Sequence, residues 1–84
     1  MGLELEEMVI SAEEEFDISI SDDDAVTIRT PRQFIDYLMS REELADRSRD
    51  AVAESVWQIV ESGIGIKRKD FTEDSRFIED MGAG

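Results

Sequence analysis

The 84-residue chain contains no cysteine and no histidine. Without thiols there is neither a disulfide framework nor a thiolate metal site, and without imidazole the commonest general base and the commonest metal ligand are gone. Most enzyme classes therefore lack their usual parts. Basic residues are scarce as well: 9 Lys and Arg stand against 22 Asp and Glu, for a formal net charge of −13. Such a surface repels nucleic-acid phosphates and anionic membranes and favours partners with basic patches. No stretch reaches the roughly 18 apolar residues of a membrane span, and MGLELEEMVI lacks the basic start and apolar run of a signal peptide. The expected setting is the cytoplasm. A chain of this length forms one domain, buries only about 60% of its unfolded surface, and has little room for an enclosed active site.

From Leu3 to Phe16, Leu5, Met8, Val9, Ala12 and Phe16 recur at steps of three or four, with Glu4, Glu6, Glu7, Glu13, Glu14 and Glu15 between them. This pattern predicts an amphipathic helix with an acidic exterior. Glutamates at three- and four-residue spacing repel one another, so the apolar stripe must hold the helix in place. The competing reading of the same residues is a plain solvated face. Ile18 to Ser21 alternate like a strand but have no pairing partner, and are read as a loop. Ser21 followed by Asp24 predicts an N-cap and a short helix through about Ile28. Thr30 before Pro31 is a second start signal, with Phe34, Ile35 and Leu38 as its buried face.

Val52, Val56, Ile59 and Val60 mark a further helix, expected to stop at Gly63 and to start as early as Arg41 if Ser40 and Glu43 form a capping box. Between Pro31 and Gly63 there is neither Gly nor Pro. Two helices joined by a tight turn and one fused helix are both open, and the fused form would invite a domain-swapped dimer in place of a monomer. Gly65 to Gly84 reads as a long irregular segment anchored by Ile66, Phe71, Phe77, Ile78 and Met81. The core candidates are Leu5, Val9, Ala12, Phe16, Ile28, Phe34, Leu38, Val52, Val56, Ile59 and Phe77, lining either a solid core or an internal pocket.

Asp17, Ser19, Ser21, Asp22, Asp23 and Asp24 crowd oxygen ligands together. An EF-hand loop started at Asp17 would need Gly sixth and Glu twelfth, where this chain has Asp22 and Ile28. No specific metal site is expected, only weak divalent-ion binding. Paired carboxylates for acid–base work would need a pocket to shift them, and none is evident. Trp57, beside Val56, reads as core or core edge rather than a ligand platform. Lys67, Arg68 and Lys69, the one basic cluster, read as balancing the surrounding negative charge rather than binding nucleic acid.

Two segments resemble the acyl carrier protein family. GLELEEMVISAEEEFDISISDDDAVTIRTPRQFIDYL is similar to the family's second half, from the attachment-site helix onward. AVAESVWQIVESGIGIKRKDFTEDSRFIEDMGAG is similar to its first half, ending in the loop before the attachment serine. The halves stand in reversed order, which implies a circular permutation: residues 1–39 as the second half, 40–48 joining the old ends, and 49–84 as the first half. The resemblance implies an all-α bundle of three main helices and one short helix. Family members carry Asp-Ser-Leu at the start of the second helix, with 4′-phosphopantetheine on the serine bearing the acyl chain. Here Gly84 falls at the Asp, Gly2 at the Ser and Leu3 at the Leu, so the attachment serine is absent, and no other serine has that context.

By position, the resemblance implies a docking face made of Glu4, Glu7, Ile10, Glu13 and Glu14, with Ile20 and Asp22 from the loop beyond. Its partners would be basic patches on acyl-handling enzymes of fatty-acid, polyketide or lipid synthesis and on the phosphopantetheinyl transferase. The cofactor would belong to a serine-containing parent and not to this chain. Two rival readings are an acidic docking or scaffold module with no carrier role, and a permutant made to study folding or domain swapping.

Overall fold

A computed structural model of the chain describes residues 3–82. Four α-helices follow one another: α1 (Leu3–Phe16), α2 (Asp22–Ala25), α3 (Pro31–Met39) and α4 (Arg49–Ile64). Single 3₁₀ turns lie at Glu42–Leu44 and Arg68–Asp70, and no strand occurs among the described residues. The expected all-α architecture, three main helices and one short one, is what the chain adopts.

Local chemistry sets the boundaries. α1 ends where Asp17 turns to φ 54 and the Ile18 N–H reaches back to the Glu13 carbonyl at 3.1 Å, a left-handed closure that Asp tolerates better than most residues. Ser21 accepts from Asp24 N at 3.2 Å and starts α2, and Thr30 accepts from Gln33 N at 3.1 Å with Pro31 in the first turn of α3. α2 is shorter than expected: it ends at Ala25, because Val26 and Thr27 close a turn whose 3.1 Å bonds lead to Ile28.

The α3–α4 connection overturns the Ser40 capping box. Ser40 is the C-cap of α3, its hydroxyl donating to the Tyr37 carbonyl at 2.6 Å, and Arg41 turns to Glu43 at 2.9 Å. The N-cap of α4 is Ser48, which accepts from Ala51 N at 3.1 Å. Between them Leu44 is fully buried and pulls the connection inward through its 3₁₀ turn. α3 and α4 are therefore separate helices, and the fused helix on which the domain-swapped dimer depended is not present.

Gly63 is likewise not the stop. It lies inside α4, where a Cβ would stand 2.5 Å from Met8 Cγ, so its missing side chain is what admits α1. The stop comes two residues later at Gly65, φ 85, whose N–H bonds the Glu61 carbonyl at 2.9 Å.

α1 and α4 run antiparallel: Gly63 sits against Met8 near one end, and the Arg47 guanidinium lies 5.4 Å over the Phe16 ring at the other. α3 runs in the direction of α1, since Arg41 beyond its end donates to the Ser19 carbonyl at 2.7 Å. Phe34, Phe77, Met8, Ile35, Leu38, Leu44, Val52, Val56 and Val60 are fully enclosed, and no polar or charged residue is buried with them. Of the expected core residues only Val9 is displaced, to a half-buried edge.

The segment after Gly65 is irregular, as expected, but firmly held. Phe71, Phe77 and Met81 are buried, while Phe77 N and Arg32 N bond the Arg29 and Glu73 carbonyls at 2.9 Å each. Ile78, expected as an anchor, faces outward instead at 51% exposure, because the turn that buries Phe77 and Met81 points it the other way.

Candidate functional site

The face of α1 opposite the core carries the sequence's expected docking residues. Leu5, Met8, Ala12 and Phe16 are buried, which rotates Glu6, Glu7, Ile10, Glu14 and Glu15 into solvent and leaves Glu4, Val9 and Glu13 half-buried. Among the described residues there are six ion pairs, and none uses a carboxylate of α1. The four arginines that form ion pairs, Arg32, Arg41, Arg49 and Arg76, form them elsewhere. Arg32 and Arg49 converge on Glu73 at 3.5 and 2.6 Å, Arg32 also holds Asp74 at 2.8 Å, and Arg76 spans Glu79 and Asp80. These guanidiniums hold the Glu73 and Asp74 carboxyls below the usual carboxylate range, chiefly through their hydrogen bonds.

The last turn of α1 is also electrostatically wrong for a helix built only to be stable. Glu13, Glu14 and Glu15 stand at the negative end of the helix dipole with no basic residue beside them in that turn, an arrangement that costs about 0.3–1 kcal/mol per charge. The cation placed at the end of α1 is Arg47, over the Phe16 ring, and no ion pair among the described residues neutralises the carboxylates of this face.

Beside it runs an open groove of about 280 Å³ between α1 and α2, floored by Val9, Ile20 and Ala25 and rimmed by Glu6, Glu13 and Asp22. Ile10, 53% exposed, forms its upper edge. Two expected docking residues differ from expectation. Ile20 is 7% exposed and belongs to the groove floor rather than the outer face, because its N–H is drawn in to Glu13 Oε2 at 2.8 Å. Glu13 is correspondingly occupied in fastening that loop, whereas Glu7, Glu14 and Asp22 stand free. The groove floor was the part sequence reasoning missed, since the alternation Ile18, Ser19, Ile20 does carry the signal for two inward side chains.

The remaining candidates are placed as follows. Asp24 is committed to the fold, accepting from Tyr37 Oη at 2.9 Å, and burial raises the Tyr37 phenol above its ordinary value. No group of three or more acidic side chains among the described residues is arranged to hold a metal ion. Trp57 is half-buried and clusters with Phe71, 5.9 Å away and tilted, and with the Arg68 guanidinium, which lies 4.0 Å from the Trp57 ring centre and 5.2 Å from that of Phe71. Arg68 also donates to the Phe71 carbonyl at 2.7 Å, so the middle of the basic cluster is structural, with Lys67 and Lys69 exposed on either side. Gly2 and Gly84, the positions matched to the attachment serine and its preceding Asp, lie outside the described residues, as does the Leu3 side chain. No helix of the described residues is long and apolar enough to cross a membrane.

Comparison with known proteins finds relatives over part of the chain. Over 37 residues, 44% of this chain, the sequence is 56% identical to acyl carrier protein 2 of Pseudomonas aeruginosa, covering 47% of that protein. Over 40 residues, 48% of this chain, it is 42% identical to the acyl carrier protein of Buchnera aphidicola subsp. Schizaphis graminum, covering 51% of it. The chain thus spans about half the length of the curated relatives it matches. No protein-family model matches, and no solved structure matches significantly. Over these stretches the chain is similar to two proteins named as acyl carrier proteins, and its frame is all-helical.

Proposed function

We propose that this chain is a circularly permuted acyl-carrier-like domain that docks through α1 to basic patches on acyl-handling enzymes of the cytoplasm, and is itself not primed with phosphopantetheine. The observation that carries the docking is the uncompensated α1 face: every ion pair among the described residues leaves its carboxylates unused. A partner's Lys and Arg side chains gain attraction there without first breaking an internal pair, and long-range attraction speeds encounter. The groove beside Ile10 supplies an apolar foothold next to the charges.

The permutation is supported by where the chain doubles back. α3 and α4 are bridged by residues 40–48 alone, and Leu5 from the opening helix shares a cavity with Phe77, Ile78 and Glu79 from the closing segment. Old ends joined by a short connection and new ends brought close together are what a permuted bundle requires. The unprimed reading is supported by the family resemblance, which sets Gly2 where the family has its attachment serine.

Parents with the serine would carry acyl chains as thioesters for fatty-acid, polyketide or lipid synthesis. Incubation of this chain with a phosphopantetheinyl transferase and coenzyme A, followed by intact-mass measurement, tests the reading. Complex formation without a mass increase is expected. A mass gain of one phosphopantetheine would overturn the unprimed state, and absence of any complex at low salt would overturn the docking.

A further inference from the structure

Among the described residues three large hydrophobic side chains stand exposed: Ile10, Val26 and Ile78. Ile10 belongs to the groove already described. Val26, 58% exposed, and Ile78, 51% exposed, instead share the mouth of a different cavity of about 320 Å³, floored by Leu5, Ile28 and Phe77. Its rim carries one charge of each sign, Arg29 and Glu79. The Arg29 guanidinium has no ion pair among the described residues, and Glu79 has only a loose one, 3.6 Å from Arg76 with both side chains more than half exposed.

This mouth differs from the rest of the molecule. On a protein of net charge −13 it combines an apolar centre with balanced rim charges, so it offers a basic partner none of the attraction that α1 offers. A surface with one apolar centre, one cation and one anion is complementary to itself: a two-fold axis sets residue i on residue j and residue j on residue i. We propose that Val26, Ile78, Arg29 and Glu79 form the isologous interface of a homodimer, the occupant of the cavity mouth being a second copy of this chain. Val26 packs on the partner's Ile78 and Arg29 pairs with the partner's Glu79, each contact occurring twice.

The proposal stands apart from docking through α1 and predicts the opposite response to salt. Two acidic bodies repel one another, and raising ionic strength screens that repulsion while leaving apolar burial in place, so the dimer tightens as salt increases. A contact built on four side chains per copy is far smaller than the roughly 20–30 residues a side of a standard interface and belongs to the small, weak class below about 1,200 Å². It is also distinct from a domain swap, which would not depend on these four side chains.

Sedimentation equilibrium of the full chain, from about 10 μM to about 1 mM protein and in about 0.1 M and about 1 M salt, reads the interface directly. A reversible monomer–dimer equilibrium, tighter at the higher salt, is expected. Arg29→Glu replaces attraction by repulsion at two symmetric places and weakens the dimer about tenfold. Adding Glu79→Arg in the same chain re-forms both pairs with their signs exchanged and restores the affinity to within about threefold. Val26→Asp, at a solvent-facing position, leaves the helical circular dichroism unchanged and gives a monomer. A monomer under all conditions, a dimer that loosens with salt, or a double charge reversal no tighter than Arg29→Glu overturns the proposal, and the charge-reversal pair decides it even if Val26→Asp perturbs the fold.

Discussion

Gly63→Ala carries a prediction whose sign depends on a second residue. Gly63 is in the interior of α4, where alanine alone would favour the helix by up to about 1 kcal/mol. Its new Cβ, however, would stand 2.5 Å from Met8 Cγ and 3.4 Å from Met8 Sδ, and Met8 is 1% exposed with nowhere to retreat. Overpacking of this kind costs about 1–3 kcal/mol, so the balance is a net loss of about 1 kcal/mol. In a domain of this size that lowers the melting temperature by about 4–8 °C. Met8→Ala is itself costly, about 2–5 kcal/mol, but removes the clashing atoms. In that background Gly63→Ala should become stabilising by about 0.5–1 kcal/mol, because only the helix-propensity gain remains. Urea unfolding of the two single variants and the double variant measures the cycle. A Gly63→Ala that is neutral or stabilising alone, or equally harmful beside Met8→Ala, would refute the account of how α4 admits α1. The contrast is Gly65→Ala, at φ 85, which should cost about 1 kcal/mol whether or not Met8 is present.

Glu73 is held down by Arg49 and Arg32, so its folded value lies below its ordinary 4.5; the stability it contributes is present above that value and is lost as pH falls through the lower, folded one. Acid titration of stability should therefore show a shallower decline below about pH 4.5 in Glu73→Gln than in the parent chain. Ser48→Ala removes the N-cap of α4 and should cost about 1 kcal/mol in urea unfolding, whereas a similar loss from Ser40 as a cap of α4 is not expected. Glu13→Ala should cost up to about 1 kcal/mol by releasing the Ile20 N–H, offset by about 0.3–1 kcal/mol from removing a charge at the negative end of the α1 dipole, so Glu13→Gln, which keeps an acceptor oxygen, should be the more stable of the two, while Glu7→Ala leaves the unfolding midpoint unchanged and lowers only partner affinity.

Where the sequence was informative, one residue type had one physical job. Apolar spacing located α1, and Thr30 with Pro31 located α3, because a hydroxyl cap followed by a fixed φ has few other uses. The misreadings came from residues with two plausible jobs. Ser40 with Glu43 and Ser48 with Ala51 are both acceptable starts on paper, and the choice was made by Leu44, whose burial needs a break between the helices. Gly63 and Gly65 are both acceptable stops, and only the approach of Met8 shows that the first is for packing and the second for the left-handed turn. The exposure of the α1 carboxylates was legible from periodicity. The apolar floor of the groove beside them was only half legible: the alternation Ile18, Ser19, Ile20 signals two inward side chains, but not the seven-residue reach by which Glu13 fastens the Ile20 N–H and sets that loop against α1.

The central claim is that the unpaired carboxylates of α1 are the docking surface, and its most direct measurement is the affinity of a phosphopantetheinyl transferase for this chain across a salt series, beside the triple variant Glu4→Gln, Glu7→Gln, Glu14→Gln. Exposed charge pairs contribute about 0.2–1 kcal/mol each, so the variant should bind about 3–150-fold more weakly at low salt and show a shallower salt dependence than the parent chain. Equal affinity and equal salt dependence in the two proteins would contradict it.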